Sequence, residues 1–134
     1  MQDNPSYKNV VTDVENFFAE RLNFLARCGV NAEQIVLDIG IGFGKRIADN
    51  LDLLAQVRRF AKFGRPLLVG ASRKSFVEKV SGDGAKLTGS LACACWAAAN
   101  GVQIIRVHDV AETRQALRMT NALAEHNVEH SSTD

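Results

Sequence analysis

A helical repeat of apolar residues is the first clear pattern along the chain. Five apolar residues recur at three- and four-residue spacing: Val14, Phe17, Phe18, Leu22 and Leu25. This spacing places them on one face of an amphipathic helix. Thr12 and Glu15 have the separation of a capping box and predict the start of this helix, while Cys28 and Gly29 predict its end.

The rest of the chain alternates short apolar runs with helical segments. The apolar runs cover 35–37, 67–69 and 102–107, and the helical segments cover 49–62, 75–80, 88–100 and 110–125. Gly64 closes the first of these helices, and Asp109 with Glu112 forms an acidic capping pair for the last. This order predicts an α/β fold of parallel βα units over residues 1–126, followed by a flexible tail over 127–134.

Polar side chains follow each predicted strand at the point where the strand ends. They are Asp38 after the first strand, Ser72, Arg73 and Lys74 after the second, and Arg106 and His108 at the end of the third. The carboxyl ends of parallel strands form the edge at which α/β proteins bind ligands. The three clusters are therefore expected to converge on one site.

Each cluster also has a purely structural interpretation. Asp38 could cap the turn that follows it, and Ser-Arg-Lys could be a solvated loop. Alternation along the third strand puts Arg106 and His108 on one face and Val107 on the other. Two cations directed the same way favour an anionic ligand, of which phosphate is the common one.

A glycine-rich segment, Gly40 to Lys45, follows the first strand. A P-loop requires glycine where this chain has Ile39 and serine or threonine where it has Arg46, and the dinucleotide fingerprint fails at its third glycine. The segment instead predicts a backbone that a flat ligand can approach closely, with the Phe43 ring as one wall.

Composition narrows the class of partner. The 134 residues are 46% hydrophobic and 23% charged, and the formal net charge is +1, so neither a nucleic acid nor an anionic membrane is expected as a partner. No apolar stretch is long enough to span a bilayer and no signal peptide is evident, which predicts a cytoplasmic protein. The three cysteines are expected to be reduced, packed thiols, with metal binding or catalysis as the alternatives.

Four segments resemble, in order and spacing, the C-terminal motifs of the dihydropteroate synthases, the folate-pathway family targeted by sulfonamides. They read "LDIGIGFGK", "RPLLVGASRKSF", "LTGSLACA" and "IIRVHDVAET", and the resemblance runs from about Met1 to Leu123. It implies a (β/α)8 TIM barrel, of which this chain would supply the C-terminal three βα units and a preceding helix. The barrel is thus expected to be incomplete in this chain.

The resemblance also implies a reaction and a role for each candidate residue. Such synthases join 6-hydroxymethyl-7,8-dihydropterin diphosphate to p-aminobenzoate and release pyrophosphate with help from Mg²⁺. Asp38 would bind the amino-pyrimidine edge of the pterin, Lys74 a pterin ring acceptor, and Arg106 and His108 the diphosphate. Gly42, Phe43 and Ser72 would line the p-aminobenzoate side, and Arg73 is counted among the substrate-binding residues. Lys74, Arg106 and His108 are the expected catalytic residues.

Two departures from the family pattern qualify these expectations. Ile39 stands where the family usually has proline, so the turn after Asp38 gains an N–H that needs a partner. The family's N-terminal strands, with the Mg²⁺ ligand and part of the pterin pocket, have no counterpart here, so the chain alone is expected to be inactive. It would form a homodimer or associate with the missing half of the barrel. The alternative is a non-catalytic anion-binding or assembly module of the same fold.

Overall fold

The computed structural model describes residues 9–131, with side chains described through residue 127. The helices are α1 (Val10–Arg27), α2 (Ile47–Ala55), α3 (Ser75–Ser81), α4 (Lys86–Ala99) and α5 (Val110–Ser131). Two 3₁₀ segments cover Ala32–Gln34 and Val57–Phe63, and the strands are β1 (Leu37–Asp38), β2 (Leu67–Val69) and β3 (Ile104–Ile105). Alternating strands and helices confirm the predicted α/β class.

The strands form one parallel sheet in the order β1-β2-β3. Leu37 lies opposite Leu67, and Leu68 lies opposite Ile104. The prediction for β2 was correct, but β1 covers Leu37–Asp38 rather than 35–37, and β3 is shorter than predicted. The Gln103 side chain is one reason, because its Oε1 accepts the Leu67 N–H at 2.9 Å in place of a backbone carbonyl.

The N-cap of helix α1 lies three residues before Thr12, the predicted cap. Asn9 is the N-cap, and its side chain accepts the Thr12 N–H at 3.1 Å. The capping box was therefore wrong, and Glu15 instead lies buried against Arg59 and Lys62. The predicted end at Cys28 is confirmed.

The apolar face predicted for α1 is only partly buried. Phe18 is 3% exposed and packs edge-on against Phe60 and Phe63, with ring centroids 5.7 Å apart in each pair. Phe17 is half-exposed, and the Arg21 guanidinium lies over its ring. The core thus forms between α1 and the 3₁₀ segment rather than along the whole stripe.

The helix predicted over 49–62 is divided into α2 and the 3₁₀ segment Val57–Phe63. Residues three apart eclipse in a 3₁₀ helix, and here Val57 and Phe60 both become fully buried. Gly64, in the left-handed region at φ 66°, ends the segment as predicted. The prediction of one continuous α-helix was therefore wrong, although both predicted ends lie within two residues of the observed ones.

Helix α4 packs as closely as its small residues predict. A Cβ added to Gly89 would lie 2.5 Å from Val77 Cγ1 of α3. Helix α5 runs to Ser131, beyond the predicted end near residue 125, so the predicted tail over 127–134 begins within this helix and residues 132–134 lie outside the described part. Cys28, Cys93 and Cys95 are free thiols, but Cys28 is exposed, so the expectation of a packed thiol was wrong for that residue.

Candidate functional site

A cavity of about 420 Å³ opens at the carboxyl edge of the sheet. Its lining includes residues from all three predicted clusters: Asp38, Phe43, Gly70, Ser72, Lys74, Arg106, Val107 and His108. The predicted convergence is therefore observed. Val107 lines the same cavity, contrary to the expected alternation, because β3 ends before it at Ile105.

Asp38 and Arg106 form an ion pair across the cavity. Oδ1 of Asp38 accepts the Gly40 N–H at 2.9 Å, and Oδ2 lies 3.2 Å from Nη1 of Arg106. Asp38 thus caps the following turn and also faces the site. The Arg106 side chain crosses directly over Gly70, where an added Cβ would lie 2.5 Å from Nη2.

Ser72 and His108 hold each other in place. The Ser72 Oγ accepts the His108 backbone N–H at 3.1 Å and lies 3.0 Å from Nδ1 of the same residue. This geometry suits a hydroxyl that donates to Nδ1 of the neutral ring, which leaves the proton on Nε2. His108 also lines the cavity, so its imidazole can offer a donor to a molecule bound there.

Lys74 lies against the glycine-rich segment. Its Nζ is 4.1 Å from the centroid of the Phe43 ring, within the range of a cation–π contact. Gly42 has φ 86°, and a Cβ there would lie 2.9 Å from Cδ of Lys74. The left-handed φ of this position favours glycine, and the absence of a Cβ leaves room for the Lys74 side chain.

Two residues that hold this segment were not predicted. Lys45 Nζ donates to Gly40 O at 2.7 Å and to Phe43 O at 3.0 Å, and Oδ1 of buried Asn50 accepts the Gly42 N–H at 2.8 Å. Burial lowers the pKa of Lys45 from its ordinary value, and the charge of Lys74 adds to this effect. The sequence signal was a polar residue, Asn50, on the buried face of a helix.

Asp49 fixes the start of the helix that follows this segment. Its carboxylate accepts the backbone N–H and the guanidinium of Arg46, at 2.9 to 3.0 Å, and is 2% exposed. The hydrogen bond from Arg46 lowers the pKa of Asp49, although burial opposes this shift. The expected additional N–H of Ile39 also has a partner, since it donates to Leu68 O at 3.4 Å.

Two predicted site residues do not line the cavity: Gly42, whose backbone lies against Lys74, and Arg73. Its guanidinium binds the Asp109 carboxylate, with Nη2 to Oδ1 at 2.6 Å and Nε to Oδ2 at 3.2 Å. The hydrogen bond from Arg73 lowers the pKa of Asp109. Asp109, predicted to cap α5 with its side chain, thus uses its carboxylate to connect the end of β3 to the loop after β2.

Comparison with known proteins identifies a consistent set of relatives. The profile of the family described as "Pterin binding enzyme" matches residues 1–108. The dihydropteroate synthase of Escherichia coli strain K12 is 44% identical over 124 residues, which cover 91% of this chain and 44% of that protein. A bifunctional dihydropteroate synthase/dihydropteroate reductase of Helicobacter pylori is 37% identical over 93% of this chain and 33% of its own length.

Solved structures give the same result. The dihydropteroate synthase of Yersinia pestis, in a complex with a sulfonamide drug, superposes with a TM-score of 0.88 at 40% identity, over 93% of this chain and 46% of that one. The enzyme from Xanthomonas albilineans, in complex with 7,8-dihydropteroate, gives 0.86 at 36% identity, over 90% of this chain and 48% of that one. The chain therefore spans less than half the length of these relatives, consistent with the three βα units of a larger barrel.

Proposed function

The chain belongs to the family of pterin-binding enzymes, and from that membership we propose that it carries part of a dihydropteroate synthase site. In this reaction the amine of p-aminobenzoate attacks the methylene carbon of 6-hydroxymethyl-7,8-dihydropterin diphosphate. The carbon–oxygen bond to the diphosphate breaks, pyrophosphate leaves, and the amine loses a proton. The observation that carries the proposal is the convergence of Asp38, Lys74, Arg106 and His108 on one open cavity.

The anion would be held by Arg106 and His108, with Lys74 close by. Arg106 presents a guanidinium that is half-exposed, and His108 presents Nε2 while Ser72 holds Nδ1. Charge-assisted hydrogen bonds to a diphosphate grow stronger as negative charge develops on the leaving group, so they favour bond cleavage. These three residues are the ones we assign to catalysis.

The two organic groups would occupy the remaining walls. The Asp38 carboxylate matches the donor-rich amino-pyrimidine edge of a pterin, and Lys74 would donate to a ring acceptor. Gly42, Phe43 and Ser72 would face p-aminobenzoate, where the ring of Phe43, 46% exposed, offers a flat apolar surface. Arg73, tied to Asp109, lies outside this contact set.

Mg²⁺ is the cofactor expected for the proposed reaction. Among the described side chains, those of residues 9–127, no group of three or more metal-binding residues lies close enough to hold an ion. Asp38, the acidic residue of the cavity, already accepts from Gly40 and Arg106. We therefore propose that the metal ligands belong to the part of the relatives that this chain does not span.

Exposed apolar residues on the helices support a proposal about protein partners. Three half-exposed apolar residues lie on the outer helices, namely Trp96, Met119 and Leu123. They favour a homodimer through α4 and α5 or association with the remaining half of the barrel. None of the described helices is long and apolar enough to cross a membrane, and the cytoplasmic location expected from the sequence stays part of the proposal.

Calorimetric titration with pyrophosphate tests the anion subsite on this chain alone. Each charge-assisted contact contributes roughly 1.5–3 kcal/mol before desolvation, so we expect weak binding that decreases further with added salt. Arg106→Ala should abolish it. Arg58→Ala is the matched control, because that arginine binds Ala99 O and Asn100 at the far end of α4. A wild-type chain that ignores pyrophosphate would contradict the assignment.

A steady-state assay with both substrates separates the synthase from the non-catalytic alternative. The chain alone should give no dihydropteroate, since positioned groups of the pterin pocket are expected from outside it, and their loss commonly costs several orders of magnitude in rate. Adding the N-terminal segment of a homologue should restore turnover. If anion binding is present but no complement restores turnover, the non-catalytic module is the correct reading.

A further inference from the structure

Arg73 is a strained residue at the edge of the site. Its φ is 56°, and among residues 9–131 it is the one non-glycine residue with a positive φ. It occupies the third position of a turn closed by the Lys74 N–H, which donates to Ala71 O at 3.1 Å. Turns with a left-handed third residue usually place glycine or asparagine there. An arginine at this position implies that its side chain does something a glycine could not.

Its contacts tie three elements together. The Arg73 backbone N–H donates to Oγ of Ser90 on α4 at 2.9 Å, and Ser90 is 8% exposed. The guanidinium makes two hydrogen bonds to Asp109, the residue that follows His108. Hydrogen bonding and opposite charge raise the pKa of Arg73 and lower that of Asp109, so both groups are held in their charged forms.

The neighbours of Arg73 are the residues that face the cavity. Ser72 precedes it and binds His108, and Lys74 follows it and lies over the Phe43 ring. We infer that Arg73 is a positioning residue, which holds Ser72 and Lys74 toward the cavity by locking their turn to Ser90 and Asp109. This inference rests on the proposed function, because it takes the cavity to be the ligand site.

The inference differs from the sequence expectation that Arg73 touches substrate. A direct contact would require the guanidinium to leave Asp109, so weakening the ion pair would strengthen anion binding. A positioning role predicts the opposite change in anion binding. Weakening the Arg73–Asp109 ion pair would then disorder Lys74 and Ser72 and so weaken anion binding. The two roles are thus separated by substitutions at Asp109, a residue that lies outside the cavity lining.

The experiment combines NMR spectroscopy with pyrophosphate titration. The ring current of Phe43 should displace the Cε methylene protons of Lys74 upfield, and this signal reports the position of Lys74 with no ligand present. Asp109→Asn should remove most of that displacement and weaken pyrophosphate binding roughly tenfold, despite the added net positive charge. Arg58→Ala should leave both readouts unchanged.

A charge-swapped double variant, Arg73→Asp with Asp109→Arg, supplies the rescue. It keeps the net charge and restores an ion pair, and aspartate tolerates the left-handed conformation better than most residues. The Lys74 displacement should return, with pyrophosphate affinity within about threefold of wild type. Absence of rescue, or tighter binding by Asp109→Asn, would overturn the positioning role. If wild type binds no pyrophosphate, the proposed function fails while the Lys74 signal still decides the role of Arg73.

Discussion

The absence of one methyl group at Gly70 decides where Arg106 lies. A Cβ at this position would be 2.5 Å from Nη2 and 2.9 Å from Cζ of the guanidinium. The arginine is half-exposed at the end of a flexible side chain, so it can move away at little cost in stability. What it would lose by moving is its alignment with Asp38, which lies 3.2 Å from Nη1.

Gly70→Ala should therefore separate stability from binding. We expect the free energy of unfolding to change by no more than about 0.5 kcal/mol, while pyrophosphate affinity decreases roughly tenfold. Gly89→Ala is the control, because its Cβ would meet buried Val77 and should cost about 1–3 kcal/mol. Urea unfolding and calorimetry measure the two quantities. Unchanged affinity in Gly70→Ala would show that Arg106 binds equally well from another position.

The sequence predicted the site residues at strand ends, but it did not predict the residues that hold the loop around the site. Asp38 is the last residue of β1 and Arg106 directly follows β3, and parallel strands end at one edge. Lys45 and Asn50 act on the backbone of a loop whose shape depends on left-handed glycines, so their roles follow only from the three-dimensional path. For Arg73, sequence position gave the correct neighbourhood but not the direction of the side chain.

At the scale of elements, α1 docks through a buried carboxylate as well as through phenylalanine packing. Glu15 is 7% exposed and accepts hydrogen bonds from Arg59 at 3.1 and 3.0 Å, with Lys62 Nζ at 2.9 Å. Burial alone would raise the pKa of Glu15, but the hydrogen bonds from Lys62 and Arg59 outweigh it and the pKa is lowered. The stability of the packing between α1 and the 3₁₀ segment Val57–Phe63 should therefore depend on pH.

Because the folded pKa lies below the ordinary value of 4.5, the contribution of Glu15 is present at neutral pH and is lost as pH falls through the folded pKa. Glu15→Gln should lower the free energy of unfolding at pH 7 by about 1–3 kcal/mol. The difference from wild type should shrink on acidification below about pH 4. Urea titrations at several pH values measure this, and a difference independent of pH would refute the linkage.

Periodicity predicted the elements better than their ends. The helix α1 and the alternation of strands and helices could be predicted because the residues that become buried are apolar, and their spacing is visible in the sequence. The start of α1 depended on Asn9 rather than Thr12, a competition between two capping residues. The change from α2 to a 3₁₀ segment reflects the fit of Val57 and Phe60 into the core, which the sequence pattern alone does not distinguish from a longer α-helix.

At the scale of the whole molecule, apolar side chains lie exposed at both edges of the sheet and on the outer helices. Val36, beside β1, is 46% exposed, and Ile104 on β3 is 38% exposed. Met119 and Leu123, one turn apart on α5, are about equally open to solvent. Unpaired strands and apolar helix faces of this kind favour association.

The chain should consequently not behave as a monomer. Light scattering at micromolar concentration should give a mass above 14.6 kDa. The double substitution Met119→Glu with Leu123→Glu should lower the mass if α5 forms the contact, whereas Val36→Lys should lower it if the sheet edge does. A clean 14.6 kDa species from the unmodified chain would count against association.

The Asp38–Arg106 ion pair also bears on how a ligand is released. A ligand that binds only Asp38 or only Arg106 leaves the other charge without its partner. A molecule with both a donor-rich edge and an anionic group can bind the two residues at the same time.

After such a molecule is cleaved, each product binds only one of the two residues. Each product then competes with the Asp38–Arg106 ion pair for its binding site. Under the proposed function, 7,8-dihydropteroate and pyrophosphate should therefore each dissociate faster than the intact diphosphate ester, and Asp38→Asn should slow the dissociation of pyrophosphate in stopped-flow measurements. An ion pair that opposes ligand binding would then favour the release of the products.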